Sequence, residues 1–311
     1  MNESKRLKSI DICVCTYQRR QLQECLASLD SMMPVAGCDV RIVVADNDVL
    51  PTAMNLVEKF SANSNLSITY LHSPSSNISI ARNACLDHSS AEFLAFIDDD
   101  ETASPNWLAE LLQTMRKTDA DVVLGPVQAI YSEEAPTWIT EQDLHSTFPV
   151  ISNGVIKTGY TCNVMMNMTS NLIAERRFNL DRGRTGGEDT EFFAAVFAEG
   201  GNIAYSPKAW VSEKVPEARA QFSWLVKRKI RVGKTHGILL AENVGLPGLL
   251  LTIPSVTAKI VFCLALVALN SFSRPKRNKN LLRGMLHIGS FLGILGFREQ
   301  ASYGASQLST L

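Results

Sequence analysis

The sequence lacks an excess of charge of either sign. Its 311 residues contain 30 Lys and Arg against 31 Asp and Glu, so the formal net charge is -1. Without a general basic field the chain has no broad affinity for nucleic acid, and charge-based binding has to be local. Hydrophobic residues make up 46% and charged residues 20%. That composition excludes a disordered or low-complexity chain.

Several common motifs are also missing. The seven cysteines form no Cys-x-x-Cys pair and no close grouping with His, so a zinc site is not expected. Their odd number, with Cys13 and Cys15 in an apolar run, indicates free thiols in a reducing compartment. The polar N-terminal stretch has no apolar signal core, so we expect no export by that route. No Gly-rich turn follows the first apolar run, which argues against a dinucleotide-dependent oxidoreductase.

Short β-rich runs alternate with helix-period segments from Ile10 onward. This alternation predicts a parallel sheet covered by helices on both faces, and the length favours one α/β domain with an appendage. Ser104 and Pro105 are expected to be the N-cap and first residue of the fourth helix. The predicted strands are 10–16, 40–45, 66–72, 93–97 and 122–124, and the predicted helices are 22–33, 51–60, 78–87 and 104–115.

The pattern changes after residue 125. Residues 126–215 are punctuated by Pro, Gly, Asn and Thr, and their clearest helix begins at Glu188, directly after a Gly pair. A basic helix is then predicted over 219–240. These features favour a second lobe built differently from the first.

An apolar run covers residues 245–269, and its length would suffice to cross a bilayer. Clusters of Lys and Arg lie on both sides of it, at 227–234 and 274–283, so a single span would place one cluster on the unfavoured side. We therefore predict a kinked interfacial or re-entrant segment on the cytoplasmic leaflet, joined by residues 286–297. A true span and a buried core helix are the alternatives.

Four consecutive acids, Asp98 to Glu101, follow the apolar strand 93–97. Ligands of open α/β sheets bind at the carboxyl ends of the strands. Crowded carboxylates repel one another unless a cation is bound, and hard oxygen ligands select Mg²⁺ or Mn²⁺. Alternate residues on an extended strand end point the same way, so Asp98 and Asp100 can share one face and are the predicted metal ligands. The alternative is a solvated acidic loop.

Polar residues at the neighbouring strand and helix ends extend this edge. Asp46 and Asn47 end the second strand, where an Asp can bind a base or ribose, although an Asx turn explains it equally well. Arg82 and Asn83 lie near the start of the third helix, where a polar pair can hold a phosphate or orient an acid.

Asp189 is the candidate general base, because it opens a helix after a flexible Gly pair. The alternative is that the acids around it merely favour a helix N-terminus. Arg228, Arg231 and Lys234 on the basic helix could stabilise a departing anion, or form a solvated or membrane-facing stripe.

Five motifs follow one another at compatible spacing. They are Cys15-Thr16-Tyr17-Gln18-Arg19, Val44-Ala45-Asp46-Asn47, Asn77-Ile78-Ser79-Ile80-Ala81-Arg82-Asn83, Phe96-Ile97-Asp98-Asp99-Asp100 and Gly187-Glu188-Asp189. Their order resembles the family 2 glycosyltransferases of the GT-A fold over about residues 10–235. The resemblance is strongest to glucosyltransferases of succinoglycan biosynthesis, through 77–87, 159–163 and the Gly-Gly-Glu-Asp run.

The resemblance implies a Rossmann-like nucleotide-diphosphosugar transferase fold with a membrane-associating helical C-terminus. It implies three regions: a nucleotide-sugar-binding half (1–125), an acceptor-binding and catalytic-base half (126–240), and the membrane-associating region (241–311).

The resemblance also implies roles for individual residues. Asp189 would be the catalytic base, and Asp98, Asp100 and Glu213 would hold Mg²⁺ or Mn²⁺. Many family members carry a His one residue before the position of Glu213, and here Ser212 stands there. The implied nucleotide-sugar-binding residues are Thr16, Arg19, Asp46, Asn47, Arg82, Asp99, Glu188, Arg228 and Arg231.

The implied reaction is inverting transfer of glucose from UDP-glucose, giving a β-linkage, onto a polyprenyl-diphosphate-linked oligosaccharide. It would take place at the cytoplasmic face of the inner membrane, beside other polysaccharide-assembly enzymes, during synthesis of a succinoglycan-like exopolysaccharide. Two alternatives stay open. Asp98-x-Asp100-x-Thr102 matches the nucleophile loop of haloacid-dehalogenase-like phosphatases. A non-catalytic, membrane-attached subunit that binds a sugar nucleotide would also keep these acids.

Overall fold

The computed structural model describes residues 7–18 and 20–297. The strands are β1 Lys8–Thr16, β2 Cys38–Asp46, β3 Ser67–His72, β4 Phe93–Asp98, β5 Glu101–Ala103, β6 Val122–Leu124, β7 Val127–Ile130, β8 Ile151–Ser152, β9 Val155–Ile156, β10 Asn163–Asn167, β11 Ile203–Tyr205 and β12 Val211–Lys214. The helices are α1 Leu22–Asp30, α2 Met54–Ser61, α3 Ile78–His88, α4 Trp107–Thr118, α5 Thr137–Thr140, α6 Glu188–Ala198, α7 Phe222–Leu269 and α8 Arg274–Ile294.

A seven-stranded sheet forms the centre, in the order β11-β6-β10-β4-β1-β2-β3. Strands β1 to β4 are parallel, as predicted, but β10 runs antiparallel to both β4 and β6. The predicted α/β fold with a largely parallel sheet is confirmed, and β10 is the antiparallel exception. Strand β10 comes from the irregular stretch after residue 125, which gave no periodic signal, and so the two stretches share one sheet.

The apolar core lies in two layers, one on each face of this sheet. Alternate residues of β1 point to opposite layers: Ile10 and Ile12 join the layer under α1 and α4, and Cys13 joins the layer under α3 and α6. Each large side chain removed from water here contributes about 1.5–3 kcal/mol. This burial fixes the strands, and with them the positions of the polar residues at their carboxyl ends.

The fourth predicted helix begins later than expected. Helix α4 starts at Trp107 with Asn106 at its N-cap. The backbone N–H of Ser104 donates to the carbonyl of Trp210 at 3.0 Å, so Ser104 continues the extended chain of β5. The expectation of Ser104 as N-cap and Pro105 as first residue is wrong, because a tertiary hydrogen bond outweighs the local capping preference.

A second sheet, in the order β5-β12-β7, joins the two stretches of chain near the site. Strand β12 pairs antiparallel with β5 and sets Glu213 opposite Glu101. This register brings Glu213 to the acidic run although they are more than a hundred positions apart in sequence.

The C-terminal helices pack mainly against each other, and Leu225 and Leu282 join them to Trp138 of the body. Helix α7 is interrupted at Gly245, whose φ of 62° and ψ of 179° are not helical. We call residues 222–244 α7a and Pro247–Leu269 α7b. In the part of the chain that the structure describes, α7b is the one helix long and apolar enough to cross a membrane. The basic helix predicted over 219–240 begins at Phe222. Arg219 lies in the preceding turn, where its backbone N–H donates to the carbonyl of Pro216.

Helices α7a and α8 cross at glycines. A Cβ atom on Gly233 would lie 2.1 Å from the carbonyl oxygen of Leu286, and one on Gly289 would lie 2.2 Å from that of Ile230. Only glycine allows backbones to approach this closely. The crossing therefore fixes α8 against α7a over this length.

Candidate active site

The carboxyl ends of β1, β2 and β4 meet at one edge of the central sheet. The register aligns Thr16 with Asp46 and Cys15 with Asp98. The hydroxyl of Thr16 donates to Oδ2 of Asp99 at 2.7 Å, and both side chains are buried. The predicted residues Thr16 and Asp99 therefore lie together, whereas Arg19 falls outside the described residues.

Asp46 organises the loop that follows β2. Its fully buried carboxylate accepts from the backbone N–H of Asp48 at 3.0 Å, from that of Ala53 at 2.9 Å and from the hydroxyl of Tyr70 at 2.8 Å. The first of these bonds is the Asx turn that the sequence left open. Its contact with a nucleotide stays a prediction.

The loop beside Asp46 carries two buried polar atoms that lack a hydrogen-bond partner in the described part of the chain, Nδ2 of Asn47 and Oδ2 of Asp48. Oδ1 of Asn47 accepts from the Ser75 hydroxyl at 2.8 Å, and Oδ1 of Asp48 accepts from the Gln18 amide at 3.0 Å. Unpartnered buried polar atoms are rare and call for an explanation. Here a donor and an acceptor are available side by side. Asp48 was not predicted, although it extends the acidic-polar run at a strand end.

Asp98 lies in the most acidic part of the site. Burial, opposed by Arg82 and reinforced by the charges of Asp100, Asp99 and Glu213, raises the pKa of Asp98 to about 7. Burial and then the charge of Asp98 likewise raise the pKa of Glu101. These shifts mean that the carboxylates are close enough to repel one another, as expected where a cation would stabilise them.

The donor set fits Mg²⁺ or Mn²⁺ in its chemistry, because carboxylate oxygens are the ligands these ions prefer. Among residues 7–18 and 20–297, no group of three or more His, Cys, Asp or Glu side chains converges to hold a metal ion. The assignment of Asp98, Asp100 and Glu213 as ligands thus stays a prediction.

Arg219 supplies positive charge to these carboxylates. Its Nη1 lies 2.6 Å from Oε1 of Glu213, its Nη2 lies 3.9 Å from Oδ2 of Asp100, and its guanidinium stacks over Trp224 at 5.9 Å. The sequence analysis missed Arg219, since it was assigned to a basic helix rather than to the turn before it. Its position only six residues after Glu213 could have indicated that the two side chains pair.

The predicted arginines of α7a differ in environment. Arg228 lies over Trp224 at 5.2 Å, and burial lowers its pKa while the charge of Glu213 opposes that shift. Arg231 is exposed one turn further on. Arg228 therefore belongs to the acidic site, and Arg231 lies at its margin.

Arg82 and Glu188 form a buried ion pair through Nη1 and Oε1. Burial opposes the charged form of Arg82, but the charges of Glu188, Asp98 and Asp189 raise its pKa. Burial raises the pKa of Glu188, and its Oε2 and the Nε of Arg82 have no partner in the described chain. Arg82 thus connects the acids after β4 with those that open α6.

Asp189 is half-buried in the first turn of α6, and its Oδ1 accepts from the N–H of Thr190 at 2.6 Å. The neighbouring acid Glu191 is paired with Arg182 at 2.6 Å. Gly187 has a φ of 93°, and a Cβ atom there would lie 2.2 Å from Cγ2 of Thr235 in α7a. Gly187 is therefore required for α6 to start against α7a.

Cys162 lies near several of these acids. Burial raises the pKa of its thiol, and the charges of Glu101, Asp98, Asp189 and Glu213 raise it further. The sequence analysis gave Cys162 no individual role. Acids from β4, β5, β12 and α6 therefore all act on the Cys162 thiol. The assignment of Asp189 as proton acceptor, and of the arginines to an anion, stays a prediction.

Ser212 stands where the family resemblance implied a histidine. Its carbonyl accepts from the hydroxyl of Thr102 at 3.4 Å, and its strand neighbour Glu213 carries the ion pair with Arg219. The acid of this pair, rather than the serine, reaches the acidic site.

Comparison with known proteins identifies the family and the fold of this chain. The sequence model of the family described as Glycosyl transferase family 2 matches residues 11–182, more than half of the chain. The chain is 48% identical over 301 residues to the succinoglycan biosynthesis protein ExoM of Rhizobium meliloti (strain 1021), covering 97% of each protein. This second match extends beyond the family model, which ends before Asp189.

Two solved structures share the fold. The mannosyltransferase PcManGT from Pyrobaculum calidifontis, in complex with GDP-Man and Mn²⁺, is 14% identical with a TM-score of 0.62, over 92% of this chain and 87% of that one. Residues 1–349 of S. aureus TarS, in complex with UDP-GlcNAc, are 17% identical with a TM-score of 0.52, over 94% and 93% of the two chains. At these identities the likeness concerns the fold alone.

Proposed function

This chain belongs to glycosyl transferase family 2, and we propose that it transfers glucose from UDP-glucose onto a polyprenyl-diphosphate-linked oligosaccharide with inversion, giving a β-linkage. The buried ion pair of Arg82 with Glu188, the residue next to Asp189, carries this proposal, because the charge of Asp98 also acts on Arg82. The reaction needs a region that stabilises the departing anion and a separate proton acceptor within one site. We assign the first to the divalent ion held at Asp98 and the second to Asp189.

The proposed reaction is a single displacement. The acceptor hydroxyl oxygen attacks the anomeric carbon of glucose, and its proton passes to the carboxylate of Asp189. The bond between that carbon and the diphosphate oxygen breaks, and its electron pair leaves with UDP. Because one base acts from the face opposite the leaving group, the configuration at the anomeric carbon inverts.

Positive side chains oppose the charge that develops on the leaving diphosphate. Arg228 lies in the same environment as Glu213, and Arg219 contacts that acid directly. In a site from which water is excluded, such charges stabilise a developing anion strongly. We assign both arginines to the diphosphate side.

Asp98, Asp100 and Glu213 would hold the divalent ion. When bound, Mg²⁺ or Mn²⁺ acts as a Lewis acid toward the diphosphate. PcManGT, which shares the fold, was solved with Mn²⁺ and GDP-Man. The pair formed by Thr16 and Asp99 positions the adjacent acidic turn.

The donor side is assigned to the loop after β2. Asn47 and Asp48 each keep one unpartnered buried atom, which suits the hydrogen-bonding edge of a base, and Asp46 holds that loop in place. TarS, another protein of this fold, was solved with UDP-GlcNAc. Uracil as the base is part of the proposal.

The relative at 48% identity is a succinoglycan biosynthesis protein, which supports the proposed pathway, and the lipid-linked acceptor is proposed with it. We assign the chain to assembly of a succinoglycan-like exopolysaccharide at the cytoplasmic face of the inner membrane, beside other assembly enzymes. Helix α7b supports a membrane location by its length and apolar composition. Membership of the family favours transfer over the phosphatase alternative.

The proposal is tested with a panel of UDP-sugars, with GDP-mannose as a further donor, and lipid-linked acceptors extracted from membranes. We expect transfer from UDP-glucose only, loss of transfer with a chelator and recovery with Mn²⁺. The anomeric configuration of the product is read by NMR. An α-linked product would contradict inversion, and donor binding without turnover on any acceptor would favour the non-catalytic subunit.

A further inference from the structure

Helix α7b carries an exposed apolar ridge. Leu250 and Leu251 are 76% and 79% exposed. Further along the same side of the helix, Val261 and Phe262 are 60% and 56% exposed. Val256 and Cys263, which face the other helices, are buried. An apolar surface of this extent marks a site of interaction with a membrane or another protein.

Helices α7a and α7b lie beside the same part of α8. A Cβ atom on Gly233 of α7a would lie 2.1 Å from the carbonyl oxygen of Leu286, and one on Gly284 of α8 would lie 3.4 Å from Cβ of Cys263 in α7b. Along one straight helix, positions 233 and 263 would be about 45 Å apart. The chain therefore reverses at Gly245, and Lys259, the single charged residue of α7b, is exposed.

Both ends of α7b return to the catalytic body. Before it begins, Glu242 is bound by Arg182 at 2.5 Å. After it ends, the carbonyl of Pro275 accepts from the Gln142 side chain at 3.3 Å, and Leu282 packs in one cluster with Trp138. A helix that crossed a bilayer would carry one end about 30 Å away, to the far side. Helix α7b instead lies along the body.

The positive charge around the ridge favours an anionic membrane as its binding partner. Residues 243–297 contain no Asp or Glu, and their charged residues are Lys259, Arg274, Lys276, Arg277, Lys279 and Arg283. Of these, Lys259 is exposed within α7b, and Arg274, Lys276, Lys279 and Arg283 are exposed beyond its end. Anionic lipid headgroups attract such a cluster, whereas a second copy of this chain would bring an equal positive charge.

The same unit touches the segment that carries Asp189. Thr235 of α7a packs against Gly187, two residues before Asp189. Arg182 binds Glu191 of α6 and Glu242 of α7a at the same time, at 2.6 and 2.5 Å. A displacement of α7a would therefore move the start of α6 through these direct contacts.

We infer that the apolar ridge of α7b binds one leaflet of an anionic bilayer with the helix in the membrane plane, and that α7a couples this anchoring to the Asp189 segment. The in-plane docking is independent of the reaction. The coupling rests on the proposed function, because it gives a lipid-linked acceptor a fixed height relative to the base.

The docking is tested on the full chain with vesicles of phosphatidylcholine, with and without phosphatidylglycerol. Trp is introduced separately as Leu251→Trp, Phe262→Trp and Leu269→Trp, with Met33→Trp on the body as the matched control. Lipids brominated near the headgroup should quench all three ridge variants to a similar degree and leave the control unchanged. Strongest quenching of Phe262→Trp by lipids brominated deep in the acyl chain would indicate a span and overturn the inference.

Charge and self-association provide a second measurement. The triple variant Arg274→Gln/Lys276→Gln/Lys279→Gln should bind anionic vesicles about 100-fold more weakly, since each basic residue near the surface strengthens binding. Equal binding by the variant would contradict the role of the charges. A concentration-dependent dimer that does not bind vesicles would assign the ridge to a second copy instead.

The coupling has its own readout. Hydrogen exchange of residues 183–190 should slow when the chain binds vesicles, and Glu242→Gln should remove this slowing without preventing binding. Unchanged exchange on binding would overturn the coupling. Because none of these measurements uses a sugar donor, a chain that docks as expected but transfers no glucose would contradict the proposed function alone.

Discussion

The catalytic body and the C-terminal helices use similar apolar residues in opposite ways. In the body, β1 and β4 bury Ile12 and Phe96 in the two layers that flank the sheet. In α7b, Leu251 and Phe262 face outward. Hydropathy therefore identifies the residues that avoid water. The fold determines whether other residues of the chain cover them or whether they are left for a membrane to cover.

The largest expected effect separates chemistry in the body from docking by the helices. Asp189→Asn removes the proposed proton acceptor, so transfer should fall by about 10²- to 10⁴-fold while UDP binding and vesicle binding stay unchanged. Initial rates and donor titration by calorimetry measure this.

Glu191→Gln is the matched control, because Glu191 lies in the same turn but is paired with Arg182. It should keep most of the activity. A full rate with Asp189→Asn would remove the base assignment.

The next effect concerns the buried charges of the body. Arg82→Met leaves Glu188 buried without its partner, so the free energy of unfolding should fall by about 3–5 kcal/mol. Urea denaturation followed by circular dichroism measures the loss, and the double variant Arg82→Met/Glu188→Gln should recover much of it.

Arg177→Met serves as the control, since Arg177 pairs with Asp87 at the surface. It should change stability by less than about 1 kcal/mol. Similar losses for the two single variants would mean that the burial of the Arg82 pair has no energetic consequence.

A smaller effect should be confined to the helical unit. In Gly233→Val the new side chain would meet the Leu286 carbonyl, and overpacking of this kind costs about 1–3 kcal/mol. Hydrogen exchange in α8 should accelerate, and vesicle binding should weaken, while exchange in the central sheet stays the same.

Gly284→Ala provides the comparison within α8, because its Cβ would lie at an ordinary 3.4 Å from that of Cys263. It should be neutral or stabilising by helix propensity, by about 1 kcal/mol at most. If Gly233→Val accelerated exchange in β1 and β4 equally, the body and the helices would unfold as one unit.

The smallest effect is a dependence of the body's stability on pH. All seven cysteines are free, as predicted, and burial raises the pKa of the Cys13 and Cys25 thiols. The folded pKa exceeds the unfolded one, so the unfolded chain loses the thiol proton first as the pH rises. The stabilisation is therefore complete below about pH 9, and above it the free energy of unfolding falls by about 1 kcal/mol per thiol for each pH unit.

Urea denaturation between pH 8 and pH 10 would measure this loss, which Cys25→Ala should reduce. Iodoacetamide at pH 9 should modify half-exposed Cys38 in the folded protein and spare Cys13 and Cys25. Equal modification of all three thiols would contradict their protection.

The first 125 residues were the more predictable part of the fold. Each predicted strand and helix there is present, because strict alternation and helical spacing record burial directly in the sequence. Strand β10 escaped prediction, since it is a short buried run without periodicity, and Ser104 was misassigned because its partner Trp210 is distant in sequence.

The site was predictable where residues follow strand ends and unpredictable where they arrive from elsewhere. Asp98 and Asp100 follow an apolar strand, which is a local signal. Arg219 joins them only because β12 pairs with β5, and Asp48 is notable only because its carboxylate keeps an unpartnered oxygen.

The sequence by itself determined the alternating α/β pattern, the acidic strand end, the Gly-Gly-Glu-Asp run and an apolar segment bounded by basic residues. Each of these is a property of neighbouring residues, so it can be read along the chain. Only the tertiary structure decided that Glu213 and Arg219 join Asp98, and that α7b reverses at Gly245 to lie along the body. Those outcomes depend on strand register and on close backbone packing between distant segments, which are set by the fold as a whole.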